Sequence, residues 1–485
     1  MSPPTSWDLE AEVVIVGCGC AGAAAALAAT EAGARPLIIE ATTAGGGNAR
    51  HAGGFLFDAA EDQVLDHLDA LCFGRTERSV LEAYARGLHE LADWLSSLGA
   101  ETLAFVPPPG RLPASFPSWP AFPAASSISY RVVSGGEGRR GEALWQALAS
   151  ALQTRGVEVR TGLRVRELCR DGHGEILGVV AERDGERLAV SASGGVVLAC
   201  GGFEADRALA EAYLPLGPTW PVGHPANRGD GLRMALAAGA GLWHMYGFFG
   251  WFAHRAPGFP AAFPIDFFAP SFIFVDADGR RFGDETGFEV HDRLRALMGY
   301  RPDRPNRPRL PAFAVFDEAA RTAGPLNGLL GTPNDYTWSA DNSAEIERGW
   351  IARGADAAEL ATAAGLPPKT LTATLERYGE AVRAGRDEDF GRSADTLVGL
   401  EPPLYAIETW PGVAGTTGGP RHDAQARVLR EDGEPVPGLY AAGAVSSVWG
   451  YLTEHGGGLT DALVFGRIAG AAAADRVRGA APPSS

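Results

Sequence analysis

The chain has almost no lysine. Lys369, in a polar Pro-Pro-Lys-Thr segment, is the only lysine among 42 basic residues. Catalysis through a Schiff-base lysine is therefore excluded. Cysteine is also scarce, with five residues whose odd number and spacing do not fit a disulfide framework. We expect free thiols in a reducing compartment, and we predict no metal site.

A net positive charge and long apolar runs are lacking as well. The formal net charge of −17 disfavours nucleic acid and anionic membranes as partners, because both would repel such a surface. No apolar run is long enough to span a bilayer. Residues 6–12 are polar and acidic, unlike a targeting segment. We expect a cytoplasmic protein without a membrane span.

A glycine-rich turn follows the first apolar segment. Residues 13–16 are a β-branched run typical of a buried parallel strand, and the alanine-rich residues 21–32 predict a helix. Between them stands G-x-G-x-x-G, whose backbone and helix N-terminus suit a pyrophosphate. Glu40 ends the next strand, residues 36–40, where its carboxylate can bind a ribose 2′-hydroxyl. These features predict a dinucleotide site.

Further strands of the same sheet are predicted near both ends of the chain, at residues 157–160, 195–202 and 438–443. Residues 243–409, which lie between the last two of these strands, are rich in Phe, Trp and Pro, and this composition indicates an insertion. We predict an α/β fold: a Rossmann-like FAD-binding domain, with a parallel sheet flanked by helices, carrying an inserted α+β cap domain. The predicted division is residues 1–242, first part of the FAD-binding domain; 243–409, cap; and 410–485, its C-terminal part.

The choice of FAD depends on a second glycine-rich loop. Residues 44–54 have little side-chain bulk and suit contact with a flat ring system. Together with the glycine turn at residues 456–458, this loop resembles the flavoprotein superfamily of fumarate reductase, succinate dehydrogenase and 3-ketosteroid Δ1-dehydrogenase. The superfamily's motifs follow in its order, at residues 196–203, 229–231, 273–282 and 438–470.

The resemblance implies which residues contact FAD. It assigns this role to Gly17, Gly19, Ala21, Gly22, Glu40, Gly46, Gly47, Asn48, Ala49, Gly53, Gly54, Val165, Gly201, Gly202, Asp230, Gly443, Gly456, Gly457, Gly458 and Leu459. Gly47 stands where membrane-bound relatives attach FAD through a histidine, so we expect non-covalent FAD. Ala444 replaces an acidic residue that many relatives place beside the ribityl chain. No second G-x-G-x-x-G follows a strand, so an external electron acceptor or donor is expected.

The resemblance also implies the reaction type, a hydride transfer between carbon and flavin N5 paired with a proton transfer at the neighbouring carbon. The histidine and two arginines with which fumarate reductases hold a dicarboxylate fall here on Gly415, Glu289 and Thr453. A dicarboxylate substrate is therefore disfavoured. Aromatic residues at 246–252, with Phe267, Phe268 and Phe272, favour an apolar cyclic substrate, unless these rings form the core of the cap. The predicted substrate contacts are Phe248, Phe249, Trp251 and Gly456.

Catalytic residues are implied by the likeness to 3-ketosteroid Δ1-dehydrogenases. Residues 128–131 resemble the segment that carries an active-site tyrosine, here Tyr130, and Tyr451 with Gly456 matches the tyrosine and glycine beside the ketone oxygen. The relatives' α-proton base falls near Phe288 or Glu289, neither a tyrosine. Glu289, His291, Tyr451 and His455 are the candidates that replace it.

The sequence favours dehydrogenation α,β to a ketone in a steroid-like or alicyclic ring, or the reverse ene reduction. The alternative is a fumarate- or tricarballylate-type enzyme, for which arginines would have to converge on the flavin from other positions: Arg131, Arg139, Arg140 or Arg293. A third hypothesis is a flavoprotein that binds FAD without turnover. In that case Tyr130, Tyr451 and His455 would point away from the flavin.

Overall fold

A computed structural model describes residues 4–59, 61–106, 118–134, 140–287, 289, 291–299, 309–328 and 331–480. Arg139 and Phe288 lie outside the described residues. In the described part, the helices are α1 Cys20–Glu31, α2 Glu61–Cys72, α3 Arg78–Ser97, α4 Arg140–Thr154, α5 Arg207–Tyr213, α6 Asp230–Ala237, α7 Glu318–Thr322, α8 Ser343–Glu347, α9 Ala357–Ala364, α10 Pro368–Ala384 and α11 Gly457–Ala480. Short 3-10 turns lie at Gly47–His51, Ala125–Ser127, Arg293–Met298 and Gly443–Ser446.

The strands, over the same ranges, form four sheets. They are β1 Leu9–Val16, β2 Pro36–Ile39, β3 Phe55–Ala59, β4 Thr102–Ala104, β5 Ile128–Val133, β6 Glu158–Arg160, β7 Arg164–Arg170, β8 Ile176–Arg183, β9 Glu186–Leu198, β10 Trp220–Pro221, β11 Leu242–Trp243, β12 Phe248–His254, β13 Phe263–Pro264, β14 Phe272–Val275, β15 Ala312–Asp317, β16 Ile351–Gly354, β17 Leu404–Thr416, β18 Gly419–Pro420, β19 Arg427–Leu429 and β20 Pro435–Ala441.

The largest sheet is the predicted nucleotide-binding sheet. Its main path runs β19-β20-β9-β1-β2-β6, with β7 and β8 attached through β9. The pairs β1–β2, β1–β9, β2–β6 and β9–β20 are parallel. Val196 pairs with Val14 from the start of the chain and with Leu439 from its end. The pairs β7–β8, β8–β9 and β19–β20 of the same sheet are antiparallel. The predicted α/β fold is confirmed, and strands from both ends of the chain meet in the parallel part of the sheet.

Helices α1 and α11 pack against each other on one face of this sheet. A Cβ atom added at Gly470 would lie 2.0 Å from the carbonyl oxygen of Ala25, and one added at Gly466 would lie 2.5 Å from that of Ala21. Such distances are shorter than any real contact, so only glycine permits this spacing. The small residues of both helices therefore let α1 and α11 pack closely along their lengths.

A seven-stranded sheet builds most of the inserted region. Its order is β13-β12-β17-β15-β14, with β10 and β16 also paired to β17. Strand β17 continues past the predicted boundary between residues 409 and 410 and pairs with β12 through the register Phe248 to Thr416. Phe267 and Phe272 are stacked in the core of this region, with ring centroids 4.1 Å apart. The domain limits themselves stay a prediction.

A small antiparallel sheet, β3-β5-β4, carries Tyr130 and contacts α3, α4 and α11. Tyr130 pairs with Phe57 of β3, and a Cβ at Gly456 would meet the Phe55 carbonyl oxygen at 2.5 Å. The sheet therefore brings Tyr130 within one strand of the turn that starts α11. Among the described helices, none has the length and apolar character required to cross a membrane.

Candidate flavin and substrate site

The glycine turn between β1 and α1 has the geometry of an anion site. Gly17 adopts φ +102°, and a Cβ at Gly22 would lie 2.0 Å from the Gly17 carbonyl oxygen. No side chain caps α1, and its first turn contains no acidic residue, so its N–H groups are available to a pyrophosphate. Glu40 accepts a hydrogen bond from the Cys18 N–H at 2.8 Å, which holds its carboxylate at the turn.

The second glycine-rich loop lies directly on this turn. The Gly46 N–H donates to the Cys18 carbonyl oxygen at 2.7 Å, and Gly46 and Gly47 both adopt positive φ. A Cβ at Gly47 would meet no atom within 4 Å. The two glycine-rich segments thus form one cradle open on one side, as the predicted FAD site requires. The non-covalent attachment of FAD stays a prediction.

Buried polar atoms without protein partners lie further along this cradle. Asn48 donates to Glu204 Oε1 at 3.1 Å and to the Ala414 carbonyl oxygen at 2.8 Å. Glu204 Oε2 and Thr417 Oγ1 are buried and have no hydrogen-bond partner among the described residues. Burial raises the pKa of Glu204 to about 7, although Asn227 and Asn48 partly oppose the rise. Such atoms fit a polar ligand like the flavin, and nothing in the sequence pattern marked Glu204.

The other predicted FAD residues lie at connected places. Gly201 packs on Asn227, Gly202 on Thr416, Gly53 on Phe55 and Gly54 on Arg140. Gly443 fits between Ala21 and Ala462, which belong to α1 and α11. Three further predicted residues pack against other parts of the protein. Ala49 is buried beside Gly141, and Val165 is buried in β7, where it pairs with Ala181. Asp230 forms an ion pair with Arg164. Gly457, Gly458 and Leu459 open α11.

A buried carboxylate lies between two imidazoles beside the α11 turn. Glu289 Oε1 is 2.9 Å from His291 Nδ1 and 3.2 Å from His455 Nδ1. The His291 N–H donates to Glu289 Oε2 at 2.6 Å. Burial acts to raise the pKa of Glu289, but the two imidazoles outweigh it, so the pKa lies below its ordinary value. Burial, reinforced by His291, lowers the pKa of His455 to about 4. At neutral pH the cluster holds an anionic Glu289 and a neutral His455.

A second buried chain of hydrogen bonds reaches His455 from the other side. The Tyr130 hydroxyl donates to Glu454 Oε2 at 2.6 Å, and Glu454 Oε1 lies 2.8 Å from His67 Nε2. The Ser118 hydroxyl forms a short hydrogen bond with His455 Nδ1, while the Ser118 N–H donates to the Tyr130 oxygen at 3.1 Å. Ser118 therefore links the Tyr130–Glu454–His67 hydrogen bonds to the Glu289–His455 pair.

The predicted substrate-contact rings separate into two groups. Phe248 is buried in the core of the inserted region. Trp251 lies edge-on to His291, with ring centroids 4.9 Å apart, and the Phe249 ring extends toward Gly415 and Gly458. Trp251 and Phe249 therefore reach the site, whereas Phe248, Phe267 and Phe272 support it from the core.

The Tyr451 ring lies between two guanidinium groups. The guanidinium groups of Arg295 and Arg75 lie 4.2 Å and 5.0 Å from the centre of its ring. Arg293, one of the arginines considered for carboxylate binding, is buried 3.7 Å from Asp266. Arg131 is occupied by Thr102, and Arg140 covers the Phe55 ring.

Sequence reasoning missed His67, Ser118 and Glu454. Glu454 directly precedes His455 and the glycine turn, so its charge beside a predicted site was a usable signal. His67 lies on the buried face of the amphipathic helix α2, where a single histidine carries no such signal.

The parallel strands around β1 and the glycine cradle have the architecture of an FAD-binding flavoprotein. Residues 12–459 match the family model described as FAD binding domain, so the chain belongs to this family and uses FAD. The resemblance to the fumarate reductase and 3-ketosteroid dehydrogenase superfamily is confirmed.

Three comparisons place the chain within the family. It is 33% identical over 366 residues to a 3-oxosteroid 1-dehydrogenase of Mycobacterium tuberculosis, covering 69% of this chain and 63% of that protein, less than two thirds of its length. It is 29% identical to a 4-oxocyclohexanecarboxylate 2-dehydrogenase of Sinomonas cyclohexanicum, over 96% of this chain and 93% of the relative. The fold matches the 3-ketosteroid Δ1-dehydrogenase of Sterolibacterium denitrificans with a TM-score of 0.83 at 22% identity, covering 96% and 99% of the two chains.

Proposed function

We propose that the protein desaturates the bond α,β to the ketone of an apolar cyclic substrate, or catalyses the reverse ene reduction. The observation that carries the proposal is the buried group of Tyr130, Glu289 and His455 beside the Gly456 turn. FAD supplies the hydride acceptor in this family of reactions. The protein then has to accept the neighbouring proton, and these side chains are placed to do so.

The start of α11 suits the ketone end of the substrate. Removal of an α-proton places negative charge on the ketone oxygen, which a helix N-terminus and a backbone N–H stabilise. We assign this role to the N–H of Gly456 and the first turn of α11, which begins at Gly457, with Tyr451 proposed at the edge of the ketone site. Trp251 and Phe249 form an apolar wall for the ring. Each ring methylene buried there gains about 0.8 kcal/mol.

The relatives support a cyclic ketone as the substrate class. The 3-oxosteroid 1-dehydrogenase and the 4-oxocyclohexanecarboxylate 2-dehydrogenase to which this chain is similar are both named for such compounds. The positions that hold a dicarboxylate in fumarate reductases carry Gly415 and Thr453, which have no positive charge. We further propose that the electrons pass to an external acceptor.

One observation keeps a carboxylate-bearing substrate as the second candidate. Arg293 is buried, its Nε has no hydrogen-bond partner among the described residues, and Asp266 is 3.7 Å away. A buried guanidinium with such a loose partner could bind a substrate carboxylate.

Anaerobic bleaching of the flavin tests the proposal. FAD-loaded protein is mixed with 4-androstene-3,17-dione, cyclohexanone, 4-oxocyclohexanecarboxylate or succinate, and the flavin absorbance is followed. A ketone that bleaches the flavin, with formation of the conjugated enone, supports the proposal. Bleaching by succinate alone, or reoxidation of the reduced protein by fumarate but by no enone, contradicts it.

A further inference from the structure

His67 and Glu454 form a fully buried pair beside the Tyr130 hydroxyl. Both side chains have no solvent exposure, and 2.8 Å separates His67 Nε2 from Glu454 Oε1. The other imidazole nitrogen, Nδ1, lies 2.9 Å from the Pro123 carbonyl oxygen. On its far side, Glu454 Oε2 accepts the Tyr130 hydroxyl at 2.6 Å and the Ser118 N–H at 3.2 Å.

The hydrogens on His67 and Glu454 determine the direction in which the Tyr130 hydroxyl donates. A carbonyl oxygen only accepts, so His67 Nδ1 carries a hydrogen. A separation of 2.8 Å between His67 Nε2 and Glu454 Oε1 also requires one proton between them, whichever group owns it. In both cases Glu454 Oε2 has only lone pairs to offer. Tyr130 therefore donates to Glu454, and its oxygen offers only lone pairs to any other neighbour.

We infer that Tyr130 accepts the α-proton of the substrate and passes its own proton to the buried Glu454–His67 pair. The inference rests on the proposed function, because it names the proton acceptor of that reaction. The Cα–H bond breaks and its proton binds Tyr130 Oη, while the Tyr130 O–H proton moves to Glu454 Oε2. The electron pair of the Cα–H bond first forms the enolate of the ketone, and it forms the new C=C bond when the β-carbon loses a hydride to FAD, the oxidant. After the step the pair holds one more proton than before.

The surroundings of Tyr130 agree with a relay. Burial, with the neighbouring Glu454, raises the pKa of Tyr130, so the phenol does not ionise alone and exchanges one proton for another. The Tyr130 and His455 rings are 6.0 Å apart, which keeps the phenol at the site defined by the α11 turn. Glu454 and His67 act through Tyr130 and are positioning residues, whereas Tyr130 is the catalytic residue.

Deuterium exchange of ketone α-hydrogens tests the relay without hydride transfer. Oxidised, FAD-loaded protein is incubated with cyclohexanone or 4-androstene-3,17-dione in D₂O, and loss of the α-hydrogen signal is followed by NMR. Wild-type protein should accelerate exchange, and Tyr130→Phe and Glu454→Gln should each slow it about 100-fold or more, in the usual range for a general base. His67→Gln should slow it less, because a glutamine amide can still donate to Glu454.

The double variant Tyr130→Phe/Glu454→Gln distinguishes a relay from two separate structural defects. Groups that act as one unit are not additive, so the double variant should exchange no more slowly than Tyr130→Phe. Glu345→Gln is the matched control, because Glu345 is a buried carboxylate that accepts the hydroxyl of another tyrosine, Tyr336, at 2.6 Å. Its effect on exchange should combine multiplicatively with that of Glu454→Gln. Tyr130→Phe keeps the ring packing and decides the matter if Glu454→Gln does not fold.

Two results would overturn the inference: wild-type protein that does not accelerate exchange with either ketone, or exchange in Tyr130→Phe as fast as in wild type. The proposed function is judged separately by flavin bleaching. Exchange that depends on Tyr130 in a protein whose flavin no ketone bleaches would support the relay and reject the proposed oxidation. Bleaching that is unaffected by Tyr130→Phe would do the reverse.

Discussion

The carboxylate of Glu289 lies against the imidazole of His455, with 3.2 Å between Oε1 and Nδ1, and both side chains are buried. The pKa of His455 is about 4, and that of Glu289 is lowered from its ordinary 4.5. Both groups therefore stay deprotonated across the neutral range and gain protons only in acid. The Glu289–His455 pair therefore keeps one charge arrangement across the neutral range.

This pairing predicts an unusual pH dependence for an active site that contains histidine. If neutral His455 and anionic Glu289 are needed, activity is lost only as the pH falls through their lowered pKa values. We expect the bleaching rate at saturating ketone to be constant from about pH 8 to pH 6 and to fall below about pH 5, well under the ordinary histidine range. Stopped-flow measurements across this range check the expectation. A half-maximal rate near pH 6.5 would contradict it.

Replacing Glu289 with glutamine keeps its size and removes its charge. Glu289→Gln should bleach at least about tenfold more slowly, because His291 and His455 lose the anion that orients both rings. FAD content should be unchanged, since the carboxylate contacts imidazoles instead of the glycine cradle. Glu388→Gln, at a side chain that is 76% exposed, is the control and should behave like wild type. If Glu289→Gln bleaches as fast as wild type, the Glu289 carboxylate has no role in the reaction.

The same three side chains could also hold a metal ion. Ligand atoms of Glu289, His291 and His455 all lie within 4.8 Å of one another, which is the one such group among the described residues. We expect the site to work without a metal, because the nearby buried guanidinium of Arg293 disfavours a divalent cation. Dialysis against EDTA should leave the bleaching rate within about twofold, and elemental analysis should find no stoichiometric metal. A bound ion whose removal abolishes bleaching would show that this cluster is a metal centre.

The features that could be predicted from the sequence are carried by residues close together in the chain, and the features that were missed join residues far apart in it. The parallel strands and the glycine turn are predictable because a β-branched run and three glycines are signals contained within a few residues. The His67–Glu454 contact joins positions 387 residues apart, and no local pattern encodes it. Aromatic residues fall between these cases. The pattern showed that Phe248 and Trp251 are apolar, but only the packing shows that Phe248 faces the core and Trp251 faces His291.

Alanine substitutions at two glycines of the dinucleotide turn should impair the protein for different reasons, one through folding and the other through FAD binding. Alanine at Gly22 would place its Cβ 2.0 Å from the Gly17 carbonyl oxygen, so Gly22→Ala should destabilise even the apoprotein. Gly19 has φ −91°, and its Cβ would have 4.0 Å to the nearest atom, so Gly19→Ala should fold normally. Its methyl group would instead occupy the approach of the pyrophosphate. We expect Gly19→Ala apoprotein to melt like wild-type apoprotein while its FAD affinity falls roughly tenfold or more, a cost of about 1.4 kcal/mol. Unchanged FAD affinity would separate Gly19 from the cofactor.

Asp461, in the second turn of α11, is buried, and neither of its carboxylate oxygens has a hydrogen-bond partner among the described residues. Burial raises its pKa from 3.8 to about 7, with only partial opposition from the nearby Ser447 and Val448. The folded protein therefore binds a proton that the unfolded chain has released, and stability falls as the pH rises from about 4 to about 7. Asp461→Asn, which resembles the protonated acid, should melt a few degrees above wild type at about pH 8. The difference should disappear toward about pH 4. Asp475→Asn, at an exposed position of the same helix, is the control and should not show this crossover. Thermal melts of the FAD-loaded proteins at both pH values decide it: a variant less stable than wild type at about pH 8 would mean that the fold stabilises the Asp461 carboxylate, so that its pKa is not raised.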